Sequence, residues 1–281
     1  MRSNSPLVTV LMPVYNGSRF LGEAIESILD QAFTDFEFLI IDDASSDNSV
    51  EIIKSYDDSR ILLIENQNNL GQAKTMNRGL GLVRGKYIAR MDQDDISLPS
   101  RLDKQTKYLE KNKDIVLLGS WCKIIDSNGQ PIKDFCPPAR KNDIIHYMVA
   151  INNAFAHSST IFSTNVIQKI GGYPQYSYTQ DMALWINIMK RDYHYYIMQQ
   201  FLVSLRRHEN QTMQEPSKYL IRFHEKSAMQ YKALINLKPK AQARHDGWSS
   251  IKIRHKEFLL QILKEMNLLM FFRYLFLHIM K

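Results

Sequence analysis

Ala89-Arg90-Met91-Asp92-Gln93-Asp94-Asp95 places three carboxylates within four positions, directly after the apolar run Tyr87-Ile88-Ala89 and before Ile96-Ser97-Leu98-Pro99. The run predicts a buried strand and the carboxylates crowd its mouth. At pH 7 such a cluster repels itself unless a cation or positive neighbours neutralise it. Oxygen ligands of this kind suit hard divalent ions such as Mg2+ or Mn2+, and two or three carboxylates leave coordination positions for phosphate oxygens. A solvated acidic loop is the plain alternative. The strand leading into it favours metal, because open α/β sheets hold their sites at the carboxyl ends of strands.

Upstream, residues 8–14 are continuously apolar and rich in β-branched side chains, which predicts a buried strand. Asn16-Gly17-Ser18 ends it, and Phe20, Leu21, Ala24, Ile25, Ile28 and Leu29 then recur at helical spacing. Residues 36–41 read as a second strand, ending in Asp42-Asp43-Ala44-Ser45-Ser46-Asp47, a turn and helix cap. A third strand at 61–64 and a helix from about 72 to 83 lead to the strand at 87–91. This alternation implies βαβ crossovers and a mostly parallel sheet, with Asp42-Asp43 and Asp92 to Asp95 on one rim.

Downstream the pattern predicts a charged helix over 101–111, a strand over 115–125 and a proline-rich surface loop over 131–140. A strand over 156–162, a short helix at 166–170 closed by Gly171-Gly172, a helix opened by Gln180-Asp181 and a last strand over 195–205 follow. The leading segment is too short and strand-like for a secretory signal, and Cys122 and Cys136 are too few for a disulfide framework, so a cytoplasmic chain is expected.

The net charge is +7, from 36 Lys/Arg and 29 Asp/Glu, and it is unevenly placed. Residues 220–281 hold twelve basic and four acidic side chains, leaving the rest of the chain near neutrality. A basic appendage on a neutral body points to an anionic surface at the C-terminus, not to a nucleic-acid-binding body. Residues 257–281 are apolar but interrupted by Lys264, Glu265, Arg273 and His278, short of a membrane span. An interfacial helix on the inner leaflet and a helix packed on the body or on a second subunit are both consistent with this pattern.

Several pieces in order resemble the family 2 glycosyltransferases of the GT-A fold: residues 10–17, Ile41-Asp42-Asp43-Ala44-Ser45-Ser46-Asp47, Asn69-Leu70-Gly71 with Asn77 and Gly79, residues 89–95, and Gly171-Gly172-Tyr173 followed by Gln180-Asp181 and Leu184-Trp185. The resemblance covers about residues 7–210. It implies an α/β, Rossmann-like sheet flanked by helices, in a catalytic domain over 1–217 with a nucleotide-binding half at about 7–98 and an acceptor-binding half at about 99–217. A basic helical extension over 218–281 lies outside it.

The implied activity is inverting transfer of a sugar from a nucleotide diphosphate donor, usually UDP-linked, to a glycan or lipid-linked acceptor of a surface polysaccharide, with Mn2+ or Mg2+ as cofactor. By resemblance Pro13, Tyr15, Asp42, Asp43, Asn69 and Asp92 hold the nucleotide. Asp94 is the main metal ligand beside Asp92 and Asp95, and His208 approaches the metal or diphosphate. Asp181 is the base, although the family's usual Glu-Asp is Gln180-Asp181 here, so its neighbour is neutral. Trp121, Tyr147, Asn152, Asn153, His157, Tyr173, Gln180 and Trp185 are candidates for the sugar and acceptor pockets. The Gln-x-x-Arg-Trp motif of processive synthases is absent, favouring single additions.

Two readings compete. A Mg2+-dependent phosphatase of haloacid dehalogenase type also ends a strand in Asp-x-Asp, with Asp92 as nucleophile, but places it on the first strand. A non-catalytic membrane-associated module would not need both Asp94 and Asp181. A dinucleotide-dependent dehydrogenase is excluded by order: Gly79, Gly81 and Gly85 follow a helix and precede a strand.

Overall fold

The structure is a computed structural model that describes residues 5–139, 141, 144, 148, 153–175, 179–191 and 193–209. The expectations placed on Tyr147, Asn152 and residues 218–281 lie outside the described residues.

Apolar alternation sets the sheet. Val8, Val10, Met12 and Val14 of β1 (Val8–Val14) enter one core, whereas Leu11 enters the other. β2 (Phe36–Asp42), buried throughout, repeats this split with Phe38 and Ile40 against Leu39 and Ile41. Helix α1 (Ser18–Leu29) buries Phe20, Leu21, Ala24, Ile25 and Ile28, the stripe its sequence spacing predicts. Helix α2 (Ser49–Lys54) precedes β3 (Ile61–Glu65), and α3 (Gln72–Leu80) precedes β4 (Tyr87–Arg90). Gly85 enters β4 where the backbones nearly touch: a Cβ there would lie 2.3 Å from the Thr9 nitrogen.

The remaining strands are β5 (Ile96–Ser97), β6 (Ile115–Ile125), β7 (Pro131–Phe135), β8 (Ile161–Ser163) and β9 (His194–Arg206). Between them lie α4 (Arg101–Lys111), α5 (Thr164–Lys169) and α6 (Gln180–Lys190). The sheet order is β3-β2-β1-β4-β8-β6-β9-β5, with β7 beside β6. From β3 to β4 all pairings are parallel, as the βαβ pattern predicts. Beyond β4 the sheet is mixed, because β8 runs antiparallel to both β4 and β6 while β6 and β9 run parallel to each other. The chain leaves β1 for β2 on one side and returns to β4 on the other, so a topological switch point lies between the ends of β1 and β4.

Two local expectations are corrected. Residues 131–135 are a strand, not a loop, because they return antiparallel along Cys122 to Ile125 of β6 after the turn at Gly129. Residues 157–159 form a 3-10 turn where an unbroken strand was expected. There Ser159 Oγ bonds the Ala156 carbonyl at 2.8 Å and Thr160 Oγ1 bonds that of His157 at 2.7 Å, hydroxyl contacts that compete with extended backbone.

Candidate active site

The end of β4 is held by a buried arginine from α4. Arg101 donates to the carbonyls of Arg90 at 2.8 Å and Thr160 at 3.1 Å, while Gln105 reaches the Ser159 carbonyl at 2.8 Å. Burial lowers the Arg101 pKa to about 10, so it remains charged at neutral pH. Thus the 157–160 turn and the carboxylate-bearing strand end form one rigid unit.

The three aspartates that follow take three different environments. Asp92 Oδ1 pairs with the fully buried Arg90 guanidinium and Oδ2 accepts from Ser158 Oγ at 2.9 Å. Enclosure pushes its pKa up, but the charges of Arg90 and His157 and the bonds from Ser158 and Arg90 outweigh this and hold it below 3.8. Asp94 Oδ2 lies 3.0 Å from His208 Nε2, just past the end of β9. Phe20 of α1 packs on the His208 ring with centroids 4.8 Å apart. Asp95 is buried, with Oδ1 accepting from the Arg206 amide at 2.9 Å and Oδ2 2.5 Å from Ser158 Oγ.

Ser158 stands between Asp92 and Asp95. Its one hydroxyl hydrogen cannot serve both carboxylates. Burial, together with the charges of Asp94 and Asp92, holds Asp95 well above the usual carboxylate range. Ser158 Oγ thus lies between the two carboxyl groups, within hydrogen-bond reach of Asp92 Oδ2 and Asp95 Oδ2. Asp95, expected among the metal ligands, is buried with both oxygens engaged by the protein.

On the β1–β2 side, Gln93 clamps the strand end to the acidic loop: Oε1 accepts from the Tyr15 amide at 2.8 Å and Nε2 donates to the Tyr15 carbonyl at 3.1 Å. Pro13 lies within β1 and the Tyr15 side chain is exposed. The sequence groups Asp42 with Asp43, but the structure separates them. Asp43 accepts from Asn66 Nδ2, the Leu70 amide and the Gly71 amide at 2.6 to 2.9 Å, so both its oxygens shape the loop before α3. Asp42 Oδ2 accepts from the Ser45 amide at 2.9 Å, and its buried Oδ1 has no hydrogen-bond partner among the described residues. Asn69 turns its Oδ1 to the Gly71 amide at 3.0 Å. Gly71 then opens α3 at φ 82°, a left-handed conformation suited to glycine.

Opposite this rim stands α6. Asp181 in its first turn accepts from Asn153 Nδ2 at 2.7 Å, and Gln180 is buried against Gln72 of α3. His157 Nε2 lies 2.8 Å from the Tyr173 hydroxyl. Burial, and then the charge of Arg90, pushes His157 well below 6.5, with Asp92 opposing; burial pushes the Tyr173 hydroxyl up. Both groups are neutral at pH 7.

Trp185, expected in a sugar pocket, is fully buried among Phe155, His157 and Phe162, and Tyr173 is nearly so, which makes them core. Trp121 packs on Phe201 and donates to the Pro137 carbonyl at 3.0 Å. The sequence assigns no role to Arg90, Ser158, Gln72 or Gln93, although Arg90 and Gln93 stand inside the acidic stretch itself and Ser158 in the hydroxyl run Ser158-Ser159-Thr160.

The structure thus gathers a carboxylate–imidazole pair, a buried anchored carboxylate and a carboxylate at a helix start around one switch point. A family profile described as glycosyl transferase family 2 matches residues 9–170. The chain belongs to glycosyl transferase family 2. It is 39% identical over 207 residues to an uncharacterized glycosyltransferase of Methanocaldococcus jannaschii, covering 72% of this chain and 71% of that one. It is 30% identical over 184 residues to the UDP-Glc:alpha-D-GlcNAc-diphosphoundecaprenol beta-1,3-glucosyltransferase WfgD of Escherichia coli, covering 66% and 70%. Among solved structures it resembles S. aureus TarS 1–349 in complex with UDP-GlcNAc, with TM-score 0.64, 16% identity and coverage of 81% and 70%. It also resembles the mannosyltransferase PcManGT of Pyrobaculum calidifontis in complex with GDP-Man and Mn2+, with TM-score 0.56, 14% identity and coverage of 93% and 87%. At these identities the structural likeness is one of fold, the GT-A fold. This family 2 glycosyltransferase has, among the described residues, no helix long and apolar enough to cross a membrane. Nothing favours the phosphatase alternative, in which Asp92 would be a nucleophile: Arg90 and Ser158 already engage both its oxygens.

Proposed function

We propose that the enzyme transfers a sugar from a UDP-linked donor to a hydroxyl of a glycan or lipid-linked acceptor, with inversion, in the assembly of a surface polysaccharide. One observation carries this reading: the acidic end of β4, where Asp94 meets His208, and the start of the helix that carries Asp181 stand together, since Gln72 touches both Asp92 and Gln180, their neighbours in sequence. The E. coli relative named for UDP-glucose and a diphosphoundecaprenol acceptor, and the UDP-GlcNAc in TarS, support this substrate class.

Asp42 offers its unpartnered Oδ1 to a nucleobase N–H, with Pro13 and the exposed Tyr15 ring beside the base, while Asp43 and Asn69 act through the loop they shape. Among the described residues no three His, Cys, Asp or Glu side chains make a closed metal cage. The Asp94 carboxylate and His208 imidazole form an oxygen–nitrogen donor pair that would hold Mn2+ or Mg2+, the remaining positions falling to diphosphate oxygens. Bound there, the ion would offset the charge that develops on the leaving diphosphate. Asp181, oriented by Asn153, accepts the proton of the attacking hydroxyl on the face of the sugar opposite the diphosphate. Residues 1–217 form the catalytic domain, and the basic 218–281 segment holds a cytoplasmic enzyme on an anionic inner leaflet.

Calorimetric titration with UDP, GDP, TDP and CMP, each with and without Mn2+, tests the donor assignment. Manganese-dependent binding of UDP is expected, and Asp94→Ala abolishes it. Asp181→Asn retains UDP binding and loses transfer by about a hundredfold or more. Near-normal turnover in Asp181→Asn removes the base assignment.

A further inference from the structure

Gln72 is absent from every motif of the sequence, yet it is the only described side chain bonded to both Asp92 and Gln180. Its Nε2 lies 3.5 Å from Asp92 Oδ1, and its Oε1 accepts from Gln180 Nε2. Its side chain is exposed at the rim, while its backbone position is fixed by the residue before it. Asp43 holds the Gly71 amide at 2.9 Å, and the positive φ of Gly71 turns the chain so that the next residue starts α3 beside the rim.

The polarity of this chain of amides is decided at one end. An ionised carboxylate only accepts, so the Gln72 group facing Asp92 is its NH2 and the group facing Gln180 is its carbonyl oxygen. That oxygen requires a donor, which fixes the Gln180 amide in turn, with Nε2 toward Gln72. Gln180 Oε1 is left over. It is buried and has no hydrogen-bond partner among the described residues, a costly arrangement unless a donor arrives from elsewhere.

Resting on the donor reading above, we propose that Gln72 is a positioning residue that transmits the polarity of Asp92 to Gln180, whose Oε1 accepts a hydroxyl of the donor sugar beside Asp181. The subsite so formed selects an uncharged sugar. A sugar carboxylate would face an oxygen acceptor that cannot turn over without breaking both bonds of the relay, and it would lie near the negative charges of Asp92 and Asp181. A hydroxyl-reading site of this kind discriminates strongly, since a partner that cannot donate leaves the buried oxygen unpaired.

The experiment is calorimetric titration of the full chain with Mn2+ and, separately, UDP, UDP-glucose, UDP-N-acetylglucosamine and UDP-glucuronate, on wild type, Gln72→Met and Gln180→Leu. UDP should bind all three proteins within twofold. In wild type at least one neutral UDP-sugar should bind tenfold or more tighter than UDP-glucuronate. Gln72→Met, which keeps shape but carries no polarity, should reduce that preference to less than threefold, as should Gln180→Leu. A preference that survives in Gln72→Met, or equal binding of neutral and acidic donors to wild type, overturns the subsite while leaving the donor reading intact. Failure of UDP itself to bind wild type overturns the donor reading, and the subsite with it.

Discussion

Asp95 shows how little a carboxylate's position in a motif says about its work. Asp92, Asp94 and Asp95 are near neighbours in sequence, yet one is anchored to arginine, one faces His208 and one is buried between Ser158 and the Arg206 amide. Asparagine reproduces the last role, since its NH2 can donate to Ser158 and its oxygen can accept from the Arg206 amide. Asp95→Asn should therefore keep its melting temperature and its Mn2+-dependent nucleotide binding close to wild type. Asp95→Leu, which strands Ser158 and the Arg206 amide, should lose about 1–3 kcal/mol by denaturant unfolding. A collapse of metal-dependent binding in Asp95→Asn would return Asp95 to the ligand set. The sequence puts this cluster at a strand end, where it stands, but could not divide it, because the partners that do so, Ser158 and Arg206, are more than sixty residues away. The same holds for Asp42 and Asp43: their separation depends on where the backbone amides of Leu70 and Gly71 point.

At the scale of elements, local pattern was a good guide wherever a segment packs one face or lies between two layers. The apolar stripe of α1, the continuous runs of β1 and β2 and the start of α6 at Gln180 all stand where periodicity places them. Legibility failed where pairing, not patterning, decides. β7 is largely exposed and carries little apolar signal, so its strand character comes from the free edge of β6. The 157–159 turn depends on hydroxyls meeting carbonyls and a carboxyl group from β4 onward. The contact between α4 and β4 gives a prediction of its own. Arg101→Met keeps the apolar stem but leaves the Arg90 and Thr160 carbonyls without their donor, which should cost about 2–5 kcal/mol and lower the melting temperature in calorimetry. No loss of stability would mean that the strand end is held by its ladder alone.

Across the whole molecule, the two cores on either face of the sheet meet the rim from below, and His157 sits at that junction with Tyr173, Arg90 and Asp92 around it. Its imidazole is neutral in the fold because burial and Arg90 lower its pKa well below 6.5. As pH falls through 6.5 the unfolded chain binds a proton that the fold refuses, so stability is complete above 6.5 and declines below it. Melting temperatures measured from pH 7.5 down to 5 should show this slope in wild type and a shallower one in His157→Gln; equal slopes would place the acid sensitivity elsewhere.

The fastening of β9 to α1 has a consequence for the residues just past it. Arg206 pairs with Glu23 at 2.7 Å, Arg19 pairs with Glu209 at 2.7 Å, and Phe20 lies against His208. Residues 206–209 are accordingly moored beside the Asp94–His208 pair, and not at a distant corner of the domain. Loosening that mooring at α1 would thus let His208 drift from Asp94 without altering either side chain of the pair.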